Sequence, residues 1–137
     1  MTFALDASVT LAWFHKDERT PATDELLVRA PTSSIWVPSH WPIEVANALQ
    51  QGVRRGRIKM VHRDAALASL ASLPVAIDPE TGIRAWAQTL ELSTRFTLTV
   101  HDAAYLELAM RRGLPLATLD KLLRAAATSA GVPLLGI

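Results

Sequence analysis

The 137-residue chain carries 14 basic and 13 acidic side chains, half of its residues are hydrophobic, and it has no cysteine. Such a length suits one compact domain, 1–137, around one core, and the composition excludes disorder. A formal net charge of +1 excludes bulk electrostatics as a guide to partners; the lack of cysteine excludes disulfides, zinc–thiolate sites and thiol nucleophiles, with a reducing cytoplasm as the default compartment.

In chain order, Phe3-Ala4-Leu5 is a short buried strand that stops at Asp6. The start has no basic region of a signal peptide, and no stretch reaches the roughly 18 apolar residues of a membrane span, so a soluble cytoplasmic protein is expected. A helix opens at Ala7-Ser8 and carries Val9, Leu11, Ala12, Trp13 and Phe14; a second covers Thr20–Arg29 with Leu26 and Leu27 inward. Ile35-Trp36-Val37 is a second strand. Ser39 is the expected N-cap of a helix with Pro42 in its first turn, running to about Arg55.

A further helix spans about Val61–Leu73, before a third strand, Val75-Ala76-Ile77. Asp78-Pro79-Glu80-Thr81 reads as a cap and proline start for the helix of Ile83, Trp86, Ala87 and Leu90. A helix from about His101 to Arg112 ends at Gly113, Leu116-Ala117-Thr118 is a fourth strand, Asp120–Ala130 a helix, and Val132–Leu135 the last strand. Short apolar strands alternating with helices predict a parallel sheet covered on both faces, with ligands at the carboxyl ends of its strands. Trp13, Phe14, Trp41 and Trp86 are expected in the core rather than as stacking platforms.

Most acids, including Asp78, Glu80 and Glu107, have polar neighbours or suit caps and helix faces, and are expected to be solvated. Four are instead set in apolar segments: Asp6 between Leu5 and Ala7, Glu44 within Ile43-Glu44-Val45-Ala46, Asp102 before Ala103-Ala104-Tyr105-Leu106, and Asp120 after Ala117-Thr118-Leu119. Helix capping competes evenly with function at Asp102 and Asp120, and least at Glu44. If the four meet, two carboxylates about 4 Å apart repel by roughly 4 kcal/mol at an effective dielectric near 20, which calls for protons or cations. Oxygen donors without cysteine or a histidine pair at ligand spacing favour Mg2+ or Mn2+ over zinc. His101 adjoins Asp102 but is read as a bystander. Asn47, one turn from Glu44, is placed to orient it, and Ser8 and Thr118 lie two residues from Asp6 and Asp120, as supports or as ordinary turn hydroxyls.

The segments Leu5-Asp6-Ala7-Ser8, Leu11-Ala12-Trp13-Phe14, Glu44-Val45-Ala46-Asn47, Asp102-Ala103-Ala104-Tyr105 and Ala117-Thr118-Leu119-Asp120 resemble, in order and spacing, the PIN domain, and within it the VapC-type toxin nucleases. The resemblance covers nearly the whole chain. It implies a three-layer α/β/α sandwich around a parallel sheet of about five strands. It also implies a Mg2+- or Mn2+-dependent endoribonuclease, a homodimer, inhibited by a small VapB-type antitoxin. Carried over by position, Asp6, Glu44, Asp102 and Asp120 are the acidic catalytic and metal-binding quartet, with Asn47 and Thr118 supporting it. Lys121 and Arg124 stand where some members have a fifth acid or asparagine.

The expected chemistry is hydrolysis of an RNA phosphodiester by metal-activated water, leaving a 3′-hydroxyl and a 5′-phosphate by family analogy. Asp6 and Asp102 are expected as direct ligands, Glu44 and Asp120 through water or at a second metal. Arg54, Arg55, Arg57 and Lys59, in the densest basic run, are either a phosphate track or a solvated helix end. One rival is a non-catalytic PIN-fold module gripping RNA or protein. The other is a phosphatase- or receiver-like α/β domain using Asp6, although Ser8 replaces the second acid that the phosphatase wants and Asp6 comes too early for a receiver.

Overall fold

The computed structural model describes residues 1–137. Five strands, β1 (Thr2–Leu5), β2 (Ser34–Val37), β3 (Val75–Ile77), β4 (Leu116–Ala117) and β5 (Leu134–Leu135), form one sheet in the order β3-β2-β1-β4-β5. Every pairing is parallel, with Phe3 opposite Ile35, Ala4 opposite both Trp36 and Leu116, and Ile35 opposite Val75. Parallel pairing requires a crossover between neighbours, and helices supply each one. The apolar strands Phe3-Ala4-Leu5 and Leu116-Ala117 are wholly buried, as expected of strands covered on both faces.

The helices are α1 (Ala7–Ala12), α2 (Pro21–Arg29), α3 (Trp41–Arg54), α4 (Met60–Ala71), α5 (Thr81–Arg84), α6 (Leu90–Phe96), α7 (Val100–Arg112) and α8 (Lys121–Ser129). Helix α7 is the core helix: Ala103 through Ala109 are buried without a break, the pattern of a helix covered all round. It starts at Thr99, whose hydroxyl accepts from Asp102 N, and stops at Gly113, held at φ 63° where only glycine is unstrained. Gly52 is needed for a different reason: a Cβ there would lie 3.3 Å from Ile58 Cγ1, and its carbonyl accepts from both Arg57 and Ile58. No helix is long and apolar enough to cross a membrane.

Three local expectations are corrected. His40, not Ser39, is the N-cap of α3, while the Ser39 amide donates to Thr81 Oγ1. Asp78 does not cap the next helix; it is buried, and Glu80 takes the cap position. Trp86 is not a core residue but 93% exposed, because α5 and α6 are joined by a π-helical turn at Ala85–Thr89 that changes the face presented inward. Trp13 and Trp41 are buried as expected, with their indole N–H groups donating to Thr23 O and Thr10 Oγ1.

Candidate active site

The sheet order reverses direction at β1, whose two neighbours are β2 and β4. A crevice at the carboxyl ends of β1 and β4 therefore follows from topology alone. Asp6 is the first residue past β1, and its amide donates to Ala117 O at the end of β4. Its side chain is buried, 4% exposed. Ser8 Oγ donates to Asp6 Oδ2 at 2.6 Å and Thr118 Oγ1 to the same oxygen at 2.7 Å. Those hydroxyls in turn accept from Leu119 N and Asp120 N, which ties the turn after β4 to the Asp6 carboxylate.

Burial is the main reason that the Asp6 carboxyl is pushed up to about 6; the two hydroxyls oppose it, and the charges of Asp102 and Glu44 add to it. Asp102 lies in the first turn of α7 and is half-buried. Its pKa is also raised, first by burial and then by the charges of Asp120 and Glu44. Asp102 thus feels Asp120 and Glu44, and Asp6 feels Asp102 and Glu44. Capping is the role of Asp120, whose Oδ1 accepts from Leu123 N at 2.8 Å. Asp102 is not a cap, since Thr99 holds that position. Glu44, in the first turn of α3, accepts on Oε1 from Tyr105 Oη at 2.7 Å. Asn47 is exposed one turn further along α3, so the partner that holds Glu44 is Tyr105.

The pairing of charges sets these acids apart. Eight of the thirteen acidic side chains are in salt bridges. Of the five without one, four are Asp6, Glu44, Asp102 and Asp120, and the fifth is the exposed Glu91. No three Asp, Glu or His side chains converge closely enough to hold an ion on their own. The donor set nevertheless fits a hard divalent cation of the magnesium type, which keeps several waters and needs only one or two carboxylates beside substrate phosphates. Two bonds engage Asp6 Oδ2, one engages Glu44 Oε1 and one Asp120 Oδ1, so each of these anchored acids offers its other oxygen.

Beside Asp6 runs a groove of about 600 Å³ whose walls include Ser8, His15, Glu18, Arg55, Arg57 and Asp120. Of the four acids only Asp120 lines it, and with Asp120 it brings together two of the four basic-run residues. Arg57 is tied to Asp17 at 2.9 Å and to Glu18 at 3.5 Å, whereas Arg54 and Lys59 are exposed away from the lining. Two residues without a forecast role complete the surroundings. His40 and His101, far apart in sequence, pack with ring centroids 5.5 Å apart, and His40 meets Tyr105 edge-on at 5.2 Å. His40 Nε2 is buried without a partner, and burial holds its pKa down. Tyr105 had a sequence signal: it follows Asp102 by three residues and so shares its helix face.

Among known proteins, the PIN domain family matches residues 3–128. The chain belongs to the PIN domain family. Within that family it is of the VapC type. It is 36% identical over 102 residues to Ribonuclease VapC3 of Mycobacterium tuberculosis, spanning 74% of this chain and 72% of that protein. It is 34% identical over 101 residues to Ribonuclease VapC12 of the same organism, spanning 74% and 75%. The solved structure of PAE2754 from Pyrobaculum aerophilum superposes with a TM-score of 0.70 at 25% identity, covering 98% of this chain and 83% of that one. VapBC2 from Rickettsia felis, solved with a DNA fragment from its promoter, gives 0.66 at 14% identity over 98% and 97%, a likeness of fold alone. PIN domain ribonucleases are generally dependent on divalent metal ions.

Proposed function

We propose that Asp6, Glu44, Asp102 and Asp120 form the acidic centre at which this VapC-type endoribonuclease, a hydrolase, cleaves RNA with Mg2+ or Mn2+. The observation that carries the reading is the pairing pattern: the chain gives counter-charges to its other acids, Glu91 apart, and leaves these four without any. Asp6 and Asp102 are the direct ligands; Glu44 and Asp120 act through water or at a second ion. A divalent cation supplies neutralisation of the acids, activation of water for attack on phosphorus and stabilisation of developing negative charge. Ser8 and Thr118 orient Asp6 by holding Oδ2. The Leu123 amide orients Asp120 by holding its Oδ1. Arg55 and Arg57 face the groove that leads to Asp120, where phosphates of the substrate would pass.

The protein acts in the cytoplasm as the toxin of a toxin–antitoxin pair, a homodimer restrained by a VapB-type antitoxin, and residues 1–137 are its nuclease domain. Toxicity on expression, relieved by a short neighbouring reading frame, tests that part. For the centre itself, Asp6→Asn should keep its fold and RNA binding yet lose more than the roughly 100-fold typical of an outer-shell partner. Cleavage by the folded variant at an undiminished rate would dispose of the assignment, whereas RNA binding without metal-dependent cleavage by the wild type would leave a non-catalytic RNA-binding PIN module as the better reading.

A further inference from the structure

We infer that Tyr105 is the positioning residue of the acidic centre, holding Glu44 at a set distance from Asp102 through its phenolic hydroxyl. The inference rests on the acid-site reading of Glu44 above. Glu44 has a long, half-buried side chain on α3, and its one side-chain hydrogen bond comes from Tyr105, 61 residues away on α7. Without that bond several rotamers would be open to it. Tyr105 itself has no such freedom: it is fully buried, it sits within the unbroken buried run of α7, and the His40 ring packs against its edge. Asp102 is one turn earlier on the same helix, so the hydroxyl gauges the spacing between an α7 acid and an α3 acid.

The bond has a fixed sense. A phenol of ordinary pKa, about 10, keeps its proton at physiological pH, so Tyr105 Oη donates and the Glu44 carboxylate accepts. A buried tyrosine needs an acceptor, yet a carboxylate is an expensive one to keep half-buried where a backbone carbonyl would serve. The choice of Glu44 as acceptor makes sense if the carboxylate is the group being held.

Tyr105 is the chain's only tyrosine, which supplies a spectroscopic reporter. In protein labelled with 13Cζ-tyrosine and free of RNA, the single ring resonance should move saturably with Mg2+, with the same midpoint as calorimetric binding. The movement should vanish in Glu44→Ala. A resonance that ignores bound Mg2+, or that follows it equally in Glu44→Ala, overturns the inference. Tyr105→Phe removes only the hydroxyl and should weaken Mn2+ binding about tenfold, as loss of an outer-shell partner does. Added to Glu44→Ala it should cost nothing more, because it acts through Glu44. Full additivity, or unchanged binding in the folded variant, counts against the assignment. Mg2+ binding that survives Asp6→Asn unchanged would instead overturn the acid-site reading itself, and the labelled wild type decides the question even if Tyr105→Phe does not fold.

Discussion

Two carboxylates occupy equivalent places in the sheet and receive opposite treatment. Asp78 is the first residue past β3 and Asp6 the first past β1, and each amide donates to a neighbouring strand, to Val37 O and Ala117 O. Both side chains are buried. Asp78 is gripped by Arg111 at 2.6 Å and Arg112 at 3.0 Å, with Arg111 also bound to Glu107 and Glu80. Burial works to raise its pKa, but the arginine hydrogen bonds outweigh it and hold the carboxyl below the ordinary range. Asp6 has two hydroxyls, nearby like charges and no cation, and is pushed up to about 6. Helix α7 serves both, bringing Asp102 and Tyr105 to one and Arg111 and Arg112 to the other. The chain has basic residues enough for both acids. A buried acid with built-in counter-charges is structural; one kept without them suits the cation-binding role proposed for Asp6.

The largest expected effect comes from breaking the compensated side of this pair. Arg111→Met would leave Asp78 with Arg112 as its one cation and would strip the buried Glu107 of its partner at 2.9 Å. Breaking a buried ion pair by removing one partner costs about 3–5 kcal/mol, because a charge is left uncompensated. Urea unfolding should show a loss of that order, while cleavage per folded molecule persists. A loss below about 1 kcal/mol would make the network dispensable, as exposed pairs commonly are.

The uncompensated side should respond with the opposite sign. Because the folded-state pKa of Asp6 is raised, its contribution to stability is full below the unfolded value and lost as pH rises through about 6. The gap from 3.8 to about 6 corresponds to on the order of 3 kcal/mol. In metal-free buffer, Asp6→Asn should therefore be more stable than the wild type at pH 7.5 by up to that amount, with little difference at pH 4. Adding Mg2+ should narrow the gap by stabilising the wild type. A difference independent of pH would mean that Asp6 is not strained by its ionisation.

The contrast between the two acids was half legible beforehand. Asp6 is conspicuous because it interrupts an apolar run, and the five strands announce themselves by short β-branched and aliphatic stretches. The proposed centre follows from those strand exits plus helix starts. Asp78 reads as a solvated cap in sequence because Asp78-Pro79-Glu80-Thr81 has the local chemistry of a helix start, and the arginines that bury it come from 33 and 34 residues away. Glu107 reads the same way. It lies 4 residues before Arg111, a spacing that signals a pair but not its burial. Ion pairs across elements are tertiary facts, and local pattern carries no trace of them. Trp86 failed for a related reason: Ile83, Trp86 and Leu90 have the spacing of a buried helix face, but the π-turn inserts a change of phase, and that face is exposed.

The smallest effect tests how far hydroxyls can replace arginines. Thr118 Oγ1 donates to Asp6 Oδ2 and accepts from Asp120 N, so Thr118→Val removes both bonds with little change of shape. If Thr118 were only a turn residue, the loss would be that of the Asp120 amide bond and would be the same at every pH. If it offsets the charge on Asp6, the loss should grow once that carboxylate ionises. A hydrogen bond to a charged group is worth about 1.5–3 kcal/mol against roughly 1 for a neutral one. Denaturation at pH 8 in metal-free buffer should therefore cost the variant about 1 kcal/mol more than at pH 4.5, and added Mg2+ should remove part of the excess by taking over the neutralisation. Equal costs at the two pH values would return Thr118 to the role of a turn hydroxyl.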